Sequence, residues 1–124
     1  MKGNKKYRIL LDTPQNWADE IFPVAQRSGL ISWVIDSDNM EPSLPVNSLV
    51  LIDTSQTDIR VAGIYAFESS GYMTFRRLYL RPDGNIDVFN DNKAYPSHCV
   101  PPKSLLESAE MKIVGRVIFK GDKL

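Results

Sequence analysis

Cysteine is almost absent from this 124-residue chain. Cys99 stands alone, so no internal disulfide is available and no oxidising compartment is required. Histidine is as scarce: the single His98 precedes Cys99, and on an extended backbone the two side chains point in opposite directions. They cannot form a metal set, and no metal or other cofactor is expected. Net charge is missing too, since fifteen basic residues balance fifteen acidic ones, leaving no electrostatic footprint for gripping a phosphate backbone. The small basic cluster Lys2, Lys5, Lys6 and Arg8 reads as a solvated linker. No apolar run approaches the roughly 20 residues of a membrane-spanning helix. The basic first six residues lead into no apolar segment of the kind a secretory signal needs. These absences lead to the expectation of a cytoplasmic protein with no membrane partner.

What remains is an ordinary globular composition. With 43% hydrophobic and 24% charged residues the chain is neither disordered nor membrane-embedded, and its length suits one core. Residues 1–12 read as a leader or linker remnant and residues 13–124 as one domain. Thr13-Pro14 is a plausible helix start, with a capping hydroxyl before a proline that loses no hydrogen bond there. Trp17, Ile21, Val24 and Ala25 would share one face of this short helical segment, which Pro23 cuts or kinks. Beyond it the pattern is of strands: 30–35, 49–52, 64–67, 72–80, 86–89 and 113–119, apolar and rich in β-branched residues. Arg81-Pro82-Asp83-Gly84-Asn85 is a hairpin turn, with proline presetting its dihedral and glycine accepting positive φ. The fold class expected is mainly β.

The stretch Ser37-Asp38-Asn39-Met40-Glu41-Pro42-Ser43-Leu44, followed by Leu49-Val50-Leu51-Ile52-Asp53, resembles the signature of LexA-type self-cleaving serine peptidases and phage repressor C-terminal domains. Their pattern runs Gly-Asp-Ser-Met-Glu-Pro-Thr-Leu before a turn and a strand ending in Asp. The likeness continues in order. Gly63-Ile64-Tyr65-Ala66-Phe67 resembles the next family strand, and Phe89-Asn90-Asp91-Asn92 with Tyr95-Pro96 its Ser-Asn-Asn…Tyr-Pro element. Ile113-Val114-Gly115-Arg116-Val117-Ile118 is similar to its closing strand. The resemblance implies a LexA/signal-peptidase-like β-clip fold. It also implies that Asn39 occupies the place of the nucleophilic serine. Arg76, in Phe75-Arg76-Arg77-Leu78, occupies that of the lysine base, 37 residues further on as in such relatives. Asp38, Met40, Glu41 and Pro42 complete the motif, and the flanking turn suggests backbone capping for the acidic residues there.

Side-chain chemistry then bears on activity. In a Ser-Lys dyad the lysine must be neutral to accept the hydroxyl proton, and burial lowers its pKa far enough. Arginine holds its proton beyond about pH 12 and offers no lone pair. An amide is a poor nucleophile beside an activated hydroxyl. Losses at such positions cost on the order of 10⁴–10⁶-fold in rate, so a peptidase-dead domain is expected. Alternation puts Tyr72, Thr74, Arg76, Leu78 and Leu80 on one strand face, where Arg76 would be partly buried. One reading has its guanidinium donating to the Asn39 carbonyl across the cleft; the other has Arg76 in solvent and Asn39 as an ordinary turn residue. Residues 1–38 contain no Ala-Gly or Cys-Gly pair to serve as a cleavage site, and Ala62-Gly63 reads as small residues at the entry to a core strand.

By resemblance, the function expected is that of an oligomerisation and regulatory C-terminal domain of a phage-type repressor. It would pair as a homodimer or higher oligomer and reach DNA only through a separate N-terminal domain. Ile113, Val117 and Phe119 on the closing strand are the candidate interface residues, with simple core filling as the alternative. An inactive cleft would leave derepression to an antirepressor protein. Two rivals stand beside this reading: an active self-cleaving peptidase, and a stand-alone accessory protein of a DNA polymerase.

Overall fold

Apolar residues spaced two apart generate a sheet with two buried faces. The computed structural model describes residues 29–106 and 112–121. In chain order it contains β1 (Leu30–Val34), β2 (Leu49–Asp53), β3 (Gly63–Ser69), β4 (Tyr72–Leu80), β5 (Ile86–Phe89) and β6 (His98–Val100). A short helix, α1 (Pro102–Leu106), and β7 (Lys112–Gly121) follow. The strands form one antiparallel sheet in the order β1-β2-β7-β3-β4-β5-β6. The mainly β expectation is met, and six strands fall within a residue or two of where periodicity puts them. β6 is an addition: three residues are too few to show a period, and the strand exists because Ile86, Asp87 and Val88 of β5 pair with Val100, Cys99 and His98. α1 is also an addition, beginning on proline at a position that needs no backbone donor. The helical segment expected from Thr13 lies outside the described residues.

β3 and β4 separate two cores. Ala66, Met73 and Phe75 join Trp33, Ile35, Met40, Leu44, Val50 and Ile52 in the first. Tyr65, Phe67 and Leu78 join Ile59 and Ile86 in the second. The Tyr65 hydroxyl lies within hydrogen-bond reach of the carbonyl oxygens of Asp58 (2.8 Å) and Val61 (2.5 Å) and can donate its one hydrogen to either, so the loop before β3 is fastened from inside. The β4–β5 turn closes as the sequence suggests, with Gly84 at φ 91° and its N–H donating to the Arg81 carbonyl at 2.9 Å.

β7 departs from strict alternation. Ala66 faces Gly115 while Phe67 faces Ile113, so Val114 is an extra residue; Leu51 faces Phe119 while Ile52 faces Val117, so Ile118 is another. Bulges of this kind rotate the residues that follow. As a result Ile113 packs against the second core and Val117 against the first, although they sit an even number of residues apart. At Gly115 the backbones nearly touch: an added Cβ would lie 2.4 Å from the Asp53 carbonyl oxygen. Arg116 continues this junction, its Nε donating to Gln56 Oε1 at 2.7 Å while Gln56 Nε2 donates to Asp53 Oδ2 at 2.8 Å.

Candidate functional site

The motif loop is held by burial of two apolar side chains and by its own backbone. Met40 and Leu44 reach into the first core, and Leu44 N–H donates to the Met40 carbonyl at 2.8 Å. Pro42 follows a cis peptide bond, and Glu41 Oε2 accepts from the Val46 N–H at 3.2 Å, the capping role expected of it. Asp38 is bound through its carboxylate to the Tyr95 hydroxyl, a contact that pushes the Tyr95 phenol above its usual pKa.

Between these anchors lies Asn39, buried at 8% exposure, with every polar atom of its side chain in use. Its Nδ2 donates to the Phe75 carbonyl oxygen and to Asn90 Oδ1, both at 2.9 Å, and its Oδ1 accepts from Ser37 Oγ at 2.5 Å. Its backbone carbonyl accepts from the Asn92 N–H at 3.1 Å. The residue therefore brackets three pieces of chain: the motif loop, β4, and the segment after β5. That segment is itself fastened to β4, because Arg77 Nε and Nη2 grip the two oxygens of Asp91 at 2.8 and 2.7 Å.

Arg76 stands on the opposite face of β4 from Phe75 and Arg77, as alternation requires. It is half-buried, and its Nη1 donates to Thr74 Oγ1 (2.6 Å) and to the Phe75 carbonyl (2.8 Å). Burial lowers its pKa from the ordinary arginine value. Of the two readings, the direct bond from Arg76 to the Asn39 carbonyl is not formed, nor does Arg76 stand free in solvent. Asn39 Oδ1 is taken by Ser37, two residues away, and the two side chains meet only through a shared acceptor, the Phe75 carbonyl. Arg76 forms part of the wall of a cleft of about 370 Å³ that also includes Phe67, Val88, Asn90, Tyr95 and His98. Sequence reasoning brought Asn39, Arg76 and the 38–42 motif to one place but gave no role to Asn90, Tyr95 or His98. Asn90 and Tyr95 lay within a matched motif element, which was the available signal. Gly63 opens β3 against Arg116, where an added Cβ would lie 3.2 Å from its Cδ, as close packing would have it, whereas Ala62 is exposed.

A family profile described as Peptidase S24-like matches residues 6–118. The chain belongs to this family. Among curated proteins, a relative of this S24-like chain is the repressor protein CI of Enterobacteria phage phi80, 25% identical over 92 residues. The match covers 74% of this chain and 36% of that repressor, so this S24-like chain spans about a third of the relative's length. Within the S24-like sheet the candidate interface residues divide: Ile113 and Val117 lean on opposite cores, and Phe119 pairs across from Leu51. β7 is hydrogen-bonded on both sides, to β2 and β3, so a second copy could meet it only through side chains and not by strand addition. No helix among the described residues is long and apolar enough to cross a membrane.

Two carboxylates give the S24-like domain a defined pH dependence. Asp91 is held below the usual carboxylate range first by its hydrogen bonds from Arg77, against the opposing effect of burial. At Asp53 burial works to raise the pKa, but hydrogen bonds from Ser55 and Gln56 and the charge of Arg116 outweigh it and the net direction is down. Groups depressed on folding contribute stability above their unfolded pKa of about 3.9 and lose it as pH falls toward the folded values. Urea midpoints are therefore expected to drop between pH 6 and pH 3, and Asp91→Asn should make that drop shallower. A midpoint rising toward pH 3 would contradict the assignment.

Proposed function

We propose that this is the self-association and regulatory domain of a phage-type transcriptional repressor, built on a peptidase fold whose hydrolytic chemistry has been lost. The observation that carries the reading is the engagement of Asn39. Its amide nitrogen, already a weak nucleophile, has both hydrogens committed to the Phe75 carbonyl and Asn90. The side chain acts as a bracket where the family places an attacking hydroxyl. Arg76 supports the same conclusion, because a guanidinium remains protonated near neutrality even when partly buried and cannot serve as the base. The similarity to a phage CI repressor supports the regulatory role, with DNA contacted through a separate N-terminal unit.

Self-association would use side chains of the closing strand, the exposed parts of Ile113, Val117 and Phe119, together with whatever neighbouring surface they adjoin. An antirepressor protein is the proposed route to derepression, since self-cleavage would not be available. Sedimentation velocity over a concentration series should show a reversible monomer–dimer shift. In parallel, prolonged incubation at alkaline pH should leave a single intact mass. A strict monomer at the highest concentration would remove the association role, and a discrete internal fragment would remove the loss of peptidase activity.

A further inference from the structure

The neighbouring arginines of β4 differ in one respect. Arg77 spends the Nε/Nη2 edge of its guanidinium on the two oxygens of Asp91. Arg76 is pinned through Nη1 alone, to Thr74 and the Phe75 carbonyl, and among the described residues its Nε and Nη2 make no hydrogen bond. That open edge is the planar, two-donor fork that matches a carboxylate. Arg76 is part of the wall of the cleft of about 370 Å³, whose apolar lining includes Phe67, Val88 and Val100. The other uncommitted polar side chains on this wall, His98 and Ser104, can also donate, whereas Asn90 and Tyr95 are already engaged with Asn39, the Pro96 carbonyl and Asp38.

We propose that this cleft is a binding site for a small organic monocarboxylate, its carboxylate seated on the Nε/Nη2 edge of Arg76 and its apolar body against Phe67, Val88 and Val100. One permanent cation balances one negative charge. A dianionic phosphate would leave a charge uncompensated and would bring a tightly held hydration shell into an apolar lining. The volume lies at the lower end of the range for small-molecule sites, roughly 300–1,000 Å³. The site stands on its own geometry and holds whether or not the domain self-associates.

Titration of the full chain with 3-phenylpropanoate, followed by amide NMR shifts and calorimetry, tests the assignment. Saturable binding is expected, with shifts centred on β4, β5 and β6. The isosteric 3-phenylpropanamide should bind about 10–100-fold more weakly, the range for a lost charged hydrogen-bonding pair. Arg76→Gln should abolish the preference for acid over amide while the amide's own affinity stays the same. The acid–amide comparison on the unaltered protein remains decisive if that variant folds poorly. Equal binding of acid and amide, or no saturable binding of the acid, overturns the proposal. Tighter binding of phenyl phosphate overturns the carboxylate assignment. A tenfold preference for a peptide ending in a free phenylalanine carboxylate overturns the small-ligand assignment.

Discussion

Gly115→Ala is expected to cost about 3 kcal/mol of stability, the upper end of what overpacking a core usually costs. The new Cβ would fall 2.4 Å from the Asp53 carbonyl oxygen, 2.8 Å from its carbon and 2.9 Å from the Thr54 Cα. All three are backbone atoms, so no side chain can swing away and relieve the contact. Moving β7 off β2 would pull apart the Asp53–Gln56–Arg116 junction and the bulge that sets Val117 against the first core. In a domain of this size the melting temperature should fall by roughly 10 °C or more. A thermal melt within a degree or two of the unaltered protein would show that the β2–β7 approach is less tight than described.

The second large effect is expected from Asn39→Asp, a change of almost no volume. The Asn39 amide donates to two acceptors, the Phe75 carbonyl and Asn90 Oδ1, and a carboxylate there would instead present oxygen to oxygen. At 8% exposure, water does little to screen the charge. A buried charge without a partner costs about 3–5 kcal/mol at neutral pH. The sign with pH follows, because burial beside acceptors raises the folded pKa of the new carboxyl above its unfolded value of about 3.9. The penalty is therefore absent below that unfolded value and grows as pH rises through the folded one. Urea midpoints of the variant should approach those of the unaltered protein near pH 4 and separate from them by pH 7.5. Equal midpoints at pH 7.5 would show that the donor pair of Asn39 does not hold the loop.

Most strands were legible because each is a local pattern: in β4 alternation puts Met73 and Phe75 on one face and Leu78 on the other, and these faces meet the first and second cores. The bulges at Val114 and Ile118 were not, since an extra residue is defined only by what it faces on another strand. That is why Ile113 and Val117, which strict alternation would place together, pack on opposite sides. The site was half legible. Its motif positions follow from the likeness of residues 37–44 and 75–78 to a known pattern. Its wiring does not, because Asn39 and Asn90 are far apart in sequence and nothing local marks a bond between them. A direct Asn39–Arg76 bond is not made for a related reason: Ser37 and Thr74, each two residues from its partner, reach those side chains first, and the two meet through the Phe75 carbonyl instead.

The order of the sheet has a consequence for how this domain comes into being. β7, the last strand described, is the wedge between β2 and β3, so β1–β2 and β3–β6 share no strand pairing until it arrives. A chain emerging from the ribosome can assemble the meander from β3 to β5 early, but it must hold two half-sheets with open edges until residue 121 is free. Closure of the sheet thus waits on β7 and on long-range contacts, which slows folding relative to a hairpin-by-hairpin sheet. Any ribosome stalled short of that strand releases a product with two unprotected borders, inclined to aggregate.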